Sequence, residues 1–387
     1  MASPSPTAGR RFKRALVLIT EDRFVLSHFK PLVAVLREVA ADVAVVTHCT
    51  GRRGEIEALG VRVVEFDFGR WSNNPVREAF AALRLARLLR AEKPDVVHLV
   101  AMKPIVLGCF ALQFGGPQHA VVHMTGLGQL GFATEGLVRL FRGLSLRPIA
   151  RVLKKPSTYL LVENPDDLEY LQGAGIEFGR RHAVVPGAGI DPQEFPALDP
   201  PRNEVPVAAF VGRMIKPKGI DVLMRAFEQL RRNSVRIELE LFGATDPDDP
   251  EAITPEALKA WCAQYGARWD GYASDIREAW RRADMFVLPA RTREGMPRAM
   301  LEAAACARPL IVSDVSGCRH FVSDGVEGLV VAPEDVTVLA EAMRRLAADP
   351  ALRERMGTAA RRKLLAGFTE SHVRDRLRGA YRYLLQA

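Results

Sequence analysis

MFVLPARTREGMPRAMLEAAACARPLIVSD (285–314) reads as strand, turn, helix and strand in immediate succession. MFVLPA and PLIVSD are continuous aliphatic runs rather than alternating ones, the mark of strands covered on both faces of a parallel sheet. The helix between them is expected over 297–307 with Pro297 as its first residue, where a missing N–H costs nothing. Glu294 and Gly295 then lie in the turn after the first strand, and Glu302 in the second turn of the helix.

Working outward, the same alternation recurs on both sides. Upstream come VAAFVGR (207–213), the helix IDVLMRAFEQLRR, RIELELFG and the helix around ASDIREAWRRA; downstream come GLVVAP and the helical stretches 335–367 and 370–386. Earlier still, ALVLIT, the helical SHFKPLVAVLREVA (27–40), DVAVVTH, VRVVEF, the helix REAFAALRLARLLRAEK, DVVHLV and AVVHM form a second set. The Pro-rich stretch 191–206 separates the two. The expected fold is α/β: two doubly wound, Rossmann-like domains, with ligands in the cleft at the carboxyl ends of the strands. The expected divisions are a disordered head (1–10), a first domain (11–190), a linker (191–206), a second domain (207–365) and a C-terminal helix (366–387) packing back on the first domain.

Bulk properties agree with this and exclude other classes. A chain of 387 residues, 48% hydrophobic and 26% charged, exceeds one ordinary core and is not disordered in bulk. No apolar run approaches the ~20 residues that span a bilayer, and MASPSPTAGRRFKR lacks a signal peptide's apolar stretch, so a cytoplasmic location is expected. Five scattered cysteines form no metal-ligand spacing. A formal charge of +8 suits an anionic partner, but no nucleic-acid module is recognisable, so no nucleic acid is expected as partner.

Helix-start N–H groups beside Gly295 suit an anionic or hydroxyl-rich ligand; Glu294 could face a sugar ring and Glu302 could hold two ribose hydroxyls. On its spacing alone, Glu302 reads first as a solvated helix carboxylate, and only its context reverses that. In FVGRMIKPKGID (210–221), a strand end presents Arg213 and then Lys218, which can offset a departing diphosphate without a metal. A basic surface loop is the plainer alternative, yet both loops fall at strand ends, where a cleft ligand lies. The Asp-Pro-Asp at 246–248 reads as a solvated acidic loop, and no metal site is expected.

The segments GR-x4-KG and EGMPRAMLEAAACARPLIVSDVSGCRHFVSDGVEGLVV resemble glycosyltransferase family 4, and the resemblance extends over essentially the whole chain. It implies a retaining enzyme of the GT-B fold, with a nucleotide sugar, most readily a UDP-sugar, as co-substrate and no other cofactor. Arg213 and Lys218 are then expected on the donor diphosphate, Glu302 on ribose, Glu294 beside the transferred sugar, and the backbone near Gly271 and Tyr272 on the base. With Gly295, Met296 and Pro297 these complete the expected donor site, of which Glu294, Arg213 and Lys218 form the catalytic part.

EDRFVLSHFKPL, GRWSNNP, DVVHLVAMKPIVLG and MTGLGQLGF are similar to a narrower bacterial group acting on polyprenyl-diphosphate sugars in capsule, O-antigen, exopolysaccharide and protein-glycan assembly. This implies an acceptor site drawn from His28, Arg70, Asn73, His98, Lys103, Thr125 and Gly126, in the turn 126–128. His98 could instead be a satisfied core histidine, and His28, at the start of a helix, could cap it or bind phosphate. EDRFVLS lacks the glycine pair common in the family, and TGLG replaces a His-Gly pair, so a base role does not transfer to His123. GLVRLFRGLSLRPIARVLKK (136–155) could lie on the anionic inner face of the cytoplasmic membrane or be a core helix with a basic outer face. Rival readings are a sugar-nucleotide epimerase on this architecture and a non-catalytic sugar-nucleotide-binding protein.

Overall fold

The structure is a computed structural model and describes residues 11–69, 74–126 and 146–387. The chain divides into two compact units, 1–188 with 370–387, and 189–369.

The first unit runs β1 (Phe12–Glu21), α1 (Asp22–His28), α2 (Lys30–Val39), β2 (Ala40–His48), α3 (Arg53–Glu57), β3 (Arg62–Glu65), α4 (Pro75–Glu92), β4 (Val96–Val100), α5 (Met102–Ala111), β5 (His119–Met124), α6 (146–154), β6 (Thr158–Val162), α7 (Pro165–Gly173) and β7 (His182–Val184). Its seven strands are all parallel in the order β3-β2-β1-β4-β5-β6-β7. The order reverses between β1 and β4, which opens a crevice at their carboxyl ends.

Alternate residues of each strand feed two apolar layers. Leu16, Leu18, Val97, Leu99 and Val122 pack on the side of α4, α5 and α6, while Val17, Ile19, Val100, Val121 and Leu161 pack with α2 and the terminal helix. That helix, α15 (Glu370–Gln386), buries Val373, Leu377, Ala380, Tyr381 and Leu384, the spacing of one helical stripe. Arg378 anchors it to α2 by a forked pair with Glu38 at 2.8 and 2.9 Å.

The second unit runs β8 (Val207–Val211), α8 (Ile220–Arg232), β9 (Glu238–Phe242), α9 (Pro255–Tyr265), β10 (Arg268–Trp269), α10 (Arg277–Arg282), β11 (Met285–Leu288), α11 (Arg298–Ala305), β12 (Leu310–Ser313), α12 (Ser316–Phe321), β13 (Gly328–Val331), α13 (Val336–Ala348) and α14 (Pro350–Gly367). Its six parallel strands are ordered β10-β9-β8-β11-β12-β13, so the switch falls between β8 and β11. The two parallel Rossmann-like sheets expected from the aliphatic runs are therefore present. The Pro-rich stretch 191–206 belongs to this unit: Phe195 is buried, and Arg308 donates to the Leu198 and Asp199 carbonyls.

Two details differ from the sequence reading, and a third matches one of its two alternatives. The segment 27–40 holds the end of α1 and all of α2, broken at Phe29, with Ala40 already in β2, so His28 closes α1 and does not cap α2. Pro297 is the N-cap, with extended backbone (φ −61°, ψ 117°), and the first helical residue is Arg298. In 146–154, Ile149, Val152 and Leu153 are core, leaving only Arg147, Arg151 and Lys154, with Lys155 just beyond, on the exposed side. Residues 136–145 of that segment lie outside the described residues.

Candidate active site

In the second unit the two loops flanking the switch point meet through charge. The Lys218 ammonium lies 2.8 Å from the Glu294 carboxylate, and both side chains are more than four-fifths buried, at 15% and 18% exposure. Lys218 ends a single 3-10 turn, Lys216–Lys218, and Gly219 follows in the left-handed region. A Cβ on Gly219 would stand 2.0 Å from the Pro289 carbonyl oxygen, so the loop after β8 presses on the end of β11 where only glycine fits. Arg291 locks the same loops: its guanidinium takes both Asp221 oxygens at 2.7 and 2.5 Å, and its N–H donates to the Pro217 carbonyl.

Two more glycines do this job elsewhere along the strand ends. A Cβ on Gly243 would fall 1.8 Å from the Gly212 oxygen, and one on Gly317 would fall 1.8 Å from the Gly295 oxygen. The Gly317 N–H also donates to the Glu294 carbonyl at 3.1 Å. The turn that carries Glu294 is thus held from one side by Lys218 and from the other by α12.

Arg213 meets Asp249 at 3.0 Å; the aspartate is buried and the arginine half-exposed. The acidic loop 246–249 therefore supplies an ion-pair partner, a role that reading 246–248 as solvated does not include. Among the described residues, no group of three or more His, Cys, Asp or Glu converges as a metal site.

Glu302 is buried in α11, and its Oε1 accepts from Arg298 one turn earlier at 2.7 Å. Burial raises its pKa, with Arg298 pulling the other way. Met296 is buried, Tyr272 is 76% exposed, and Gly271 takes a positive φ of 68° while its carbonyl accepts from Gly243 at 2.7 Å. Of the residues expected on the donor, Arg213, Lys218, Gly271, Tyr272 and Glu294 to Pro297 follow the carboxyl ends of β8, β10 and β11, while Glu302 lies within α11.

In the first unit, His28 bonds Ser27 at 2.7 Å, and Lys103 in the first turn of α5 reaches Glu78 of α4 at 2.5 Å. Thr125 and Gly126 follow β5, Gly126 with φ 110°. Arg70, Asn73 and Gly128 lie outside the described residues. His98 has no exposed surface: its Nδ1 lies 2.6 Å from the Tyr381 hydroxyl and its Nε2 3.2 Å from His123 Nδ1. Direct contact with an acceptor is closed to it, so its expected place among the acceptor residues gives way to the core reading.

Comparison with known proteins bears on both halves. Residues 14–155 match the family described as glycosyl transferase 4-like, and residues 205–349 match glycosyl transferases group 1. The chain is 24% identical over 340 residues, covering 84% of it and 87% of the relative, to the N,N'-diacetylbacillosaminyl-diphospho-undecaprenol alpha-1,3-N-acetylgalactosaminyltransferase of Campylobacter jejuni. It is 29% identical over 379 residues to the glycogen synthase of Mycobacterium tuberculosis, covering 88% of this chain and 86% of that one. Among solved structures, the sucrose-phosphate synthase of Thermosynechococcus elongatus superposes with a TM-score of 0.78 at 18% identity, covering 97% of this chain and 99% of that one. HepE of Anabaena, solved in complex with UDP-glucose, superposes with a TM-score of 0.73 at 16% identity, covering 94% and 98%.

Two parallel α/β sheets with these neighbours define a GT-B fold. The chain is a glycosyltransferase (EC 2.4) of the group 1, GT4-like kind.

Proposed function

We propose that the chain transfers the sugar of a UDP-sugar, with retention of configuration, to a polyprenyl-diphosphate-linked sugar in cell-surface polysaccharide or glycan assembly. The observation that carries the donor half is the Lys218–Glu294 pair across the switch point of the second sheet. It sets a cation for the leaving diphosphate beside a carboxylate for the sugar hydroxyls. Arg213 joins Lys218 on the diphosphate by exchanging or sharing its Asp249 contact. Glu302 takes the ribose hydroxyls, and the backbone at Gly271 and Tyr272 takes the base.

As the anomeric carbon–oxygen bond breaks, its electron pair goes to the leaving phosphate oxygen. That oxygen takes the proton of the acceptor hydroxyl attacking on the same face. Charge stabilisation by Arg213 and Lys218 serves this step without a metal.

The lipid-linked acceptor is supported by the Campylobacter relative, whose name carries an undecaprenol diphosphate sugar. A surface feature supports it too. Val76, Phe80 and Leu83, at helical spacing on α4, are exposed beside Arg77, Arg84, Arg87 and Arg90, and Phe110 and Phe114 are exposed on and just after the neighbouring α5. Apolar side chains ringed by arginine suit the anionic inner face of the cytoplasmic membrane, where the enzyme would act peripherally. Among the described residues no helix is long and apolar enough to cross a membrane.

A thermal-shift panel of nucleotide sugars tests the donor assignment: one UDP-sugar should raise the melting temperature, and no response to any nucleotide sugar would contradict it. The likeness to glycogen synthase favours a second reading, transfer to a glucan. Transfer to a glucan primer but not to lipid-linked sugar would establish that one.

A further inference from the structure

We propose that Arg291 is a positioning residue for the donor half of the reaction: it fixes the turn that carries Lys218, and through that turn it sets where the Lys218 ammonium stands. The role rests on the reading of Lys218 as the cation for the leaving diphosphate.

The turn needs such a support. Lys218 closes a single 3-10 turn, Lys216–Lys218, too short to hold itself. Its own backbone bonds are the Lys218 N–H to the Ile215 carbonyl at 3.1 Å and the Gly219 N–H to the Lys216 carbonyl at 3.0 Å. Pro217, in its middle, has no N–H to donate. The Lys216 N–H is taken by the Glu251 carbonyl at 2.9 Å, and the 216 and 217 carbonyls are taken by Arg291. Its backbone N–H donates to Pro217 at 2.8 Å and its Nη1 to Lys216 at 3.1 Å.

The guanidinium is itself held. Nη1 and Nη2 fork onto the two oxygens of Asp221, in the first turn of α8, at 2.7 and 2.5 Å, and Nε reaches Glu334 at 3.1 Å. Arg291 and Asp221 are 22% and 33% exposed against 63% for Glu334, so the fork is the contact that counts and Glu334 adds little. Four of the five guanidinium N–H groups are thus taken by protein, one on Nε, two on Nη1 and one on Nη2, which suits holding a loop better than gripping a ligand. A lysine at 291 would keep the charge but lack the planar fork that meets Asp221 and the Lys216 carbonyl together.

The two loops therefore meet at three places: Gly219 against Pro289, Lys218 against Glu294, and Arg291 against the turn and Asp221. The first excludes a side chain and the second joins the two groups assigned to the donor. The third is made by a residue outside that assignment, and it is the one that fixes the backbone from which Lys218 projects. Stabilising a leaving group requires a charge already in place when the bond breaks. A lysine on a loosened turn keeps its charge and loses its place.

A double-mutant cycle in steady-state transfer from the UDP-sugar tests this. Arg291→Lys should lower kcat by about tenfold, within what a misplacement of about 1 Å costs. In a Lys218→Ala background the same substitution should lower kcat by less than about twofold, because the group it positions is gone. Asp221→Asn breaks the fork from its other end, bonds neither Lys218 nor Glu294, and should repeat both results, so it carries the cycle if Arg291→Lys does not fold. Wild-type kcat in the folded single variants would overturn the proposal. So would an equal fall with and without Lys218, or loss of the folded state in both variants, each of which marks a general structural role; all three results leave the donor reading standing. Unchanged turnover in Lys218→Ala alone would remove the donor reading, and the positioning role with it.

Discussion

Lys218 and Glu294 belong to loops that leave neighbouring strands of the second sheet on opposite sides of its switch point, and they close that gap with a 2.8 Å ion pair. The cation proposed for the leaving group and the carboxylate proposed for the sugar are thus joined by one contact. Replacing Lys218 with Ala should lower kcat by about a hundredfold, the scale of losing one preorganised charge-stabilising donor. Steady-state kinetics with the best UDP-sugar checks this, and unchanged turnover would remove its assigned role.

Gly317 has no polar side chain, yet it holds the Glu294 turn by backbone contact. Gly317→Ala puts a Cβ where the Gly295 oxygen stands, 1.8 Å away, and the turn must shift. UDP binding measured by calorimetry should weaken by at least about tenfold, with a stability loss of about 1–3 kcal/mol from overpacking. Wild-type affinity in this variant would show that the turn does not shape the donor site.

Glu302 is a buried carboxylate whose charged form is disfavoured by its surroundings and kept by Arg298. Glu302→Gln preserves shape and removes the charge, so folding stability should change little while UDP-sugar affinity falls by about tenfold, the scale of a charge-assisted hydrogen bond. Equal affinity for UDP-sugar in the variant would place the ribose elsewhere.

How far this site is legible in the sequence differs residue by residue. The strands at 285–288 and 310–313 announce themselves as aliphatic runs, and the turn between them follows at once. By contrast β10 has only two residues and β7 three, too short to carry a pattern, and neither is expected from sequence. His98 could be core or site on sequence grounds, because its partner Tyr381 is 283 residues away. Asp249 escapes notice because a carboxylate in an acidic loop looks solvated until Arg213, 36 residues earlier, folds against it. Gly317 and Gly243 matter through backbone approach, which no spacing reveals.

Ala101 holds a strained backbone conformation at the end of β4. Ala101→Gly should remove strain of about 1–3 kcal/mol, less up to about 1 kcal/mol for the freer unfolded chain. A modest rise in melting temperature is therefore expected. A clear fall would show that the Ala101 methyl contributes packing that outweighs the strain.

Acid should weaken the first unit before carboxylates protonate. His98 and His123 are held neutral by burial, His123 down to about 4 from 6.5. The unfolded chain gains protons at these residues as pH falls through 6.5 while the folded one does not, so stability present above that pH is lost on the way down. Denaturant unfolding at about pH 7 and about pH 5 should differ by about 2 kcal/mol from His123 alone. Equal stability at the two values would mean that the histidines are not desolvated.

Transfer from a UDP-sugar to a lipid-linked sugar is tested most directly by mass spectrometry of the lipid product. With the UDP-sugar that gives the largest thermal shift and a polyprenyl-diphosphate-linked N-acetylhexosamine, the lipid should gain the mass of one sugar residue as UDP is released. Binding of the UDP-sugar with no mass added to any lipid-linked sugar, and transfer to a glucan instead, would contradict it.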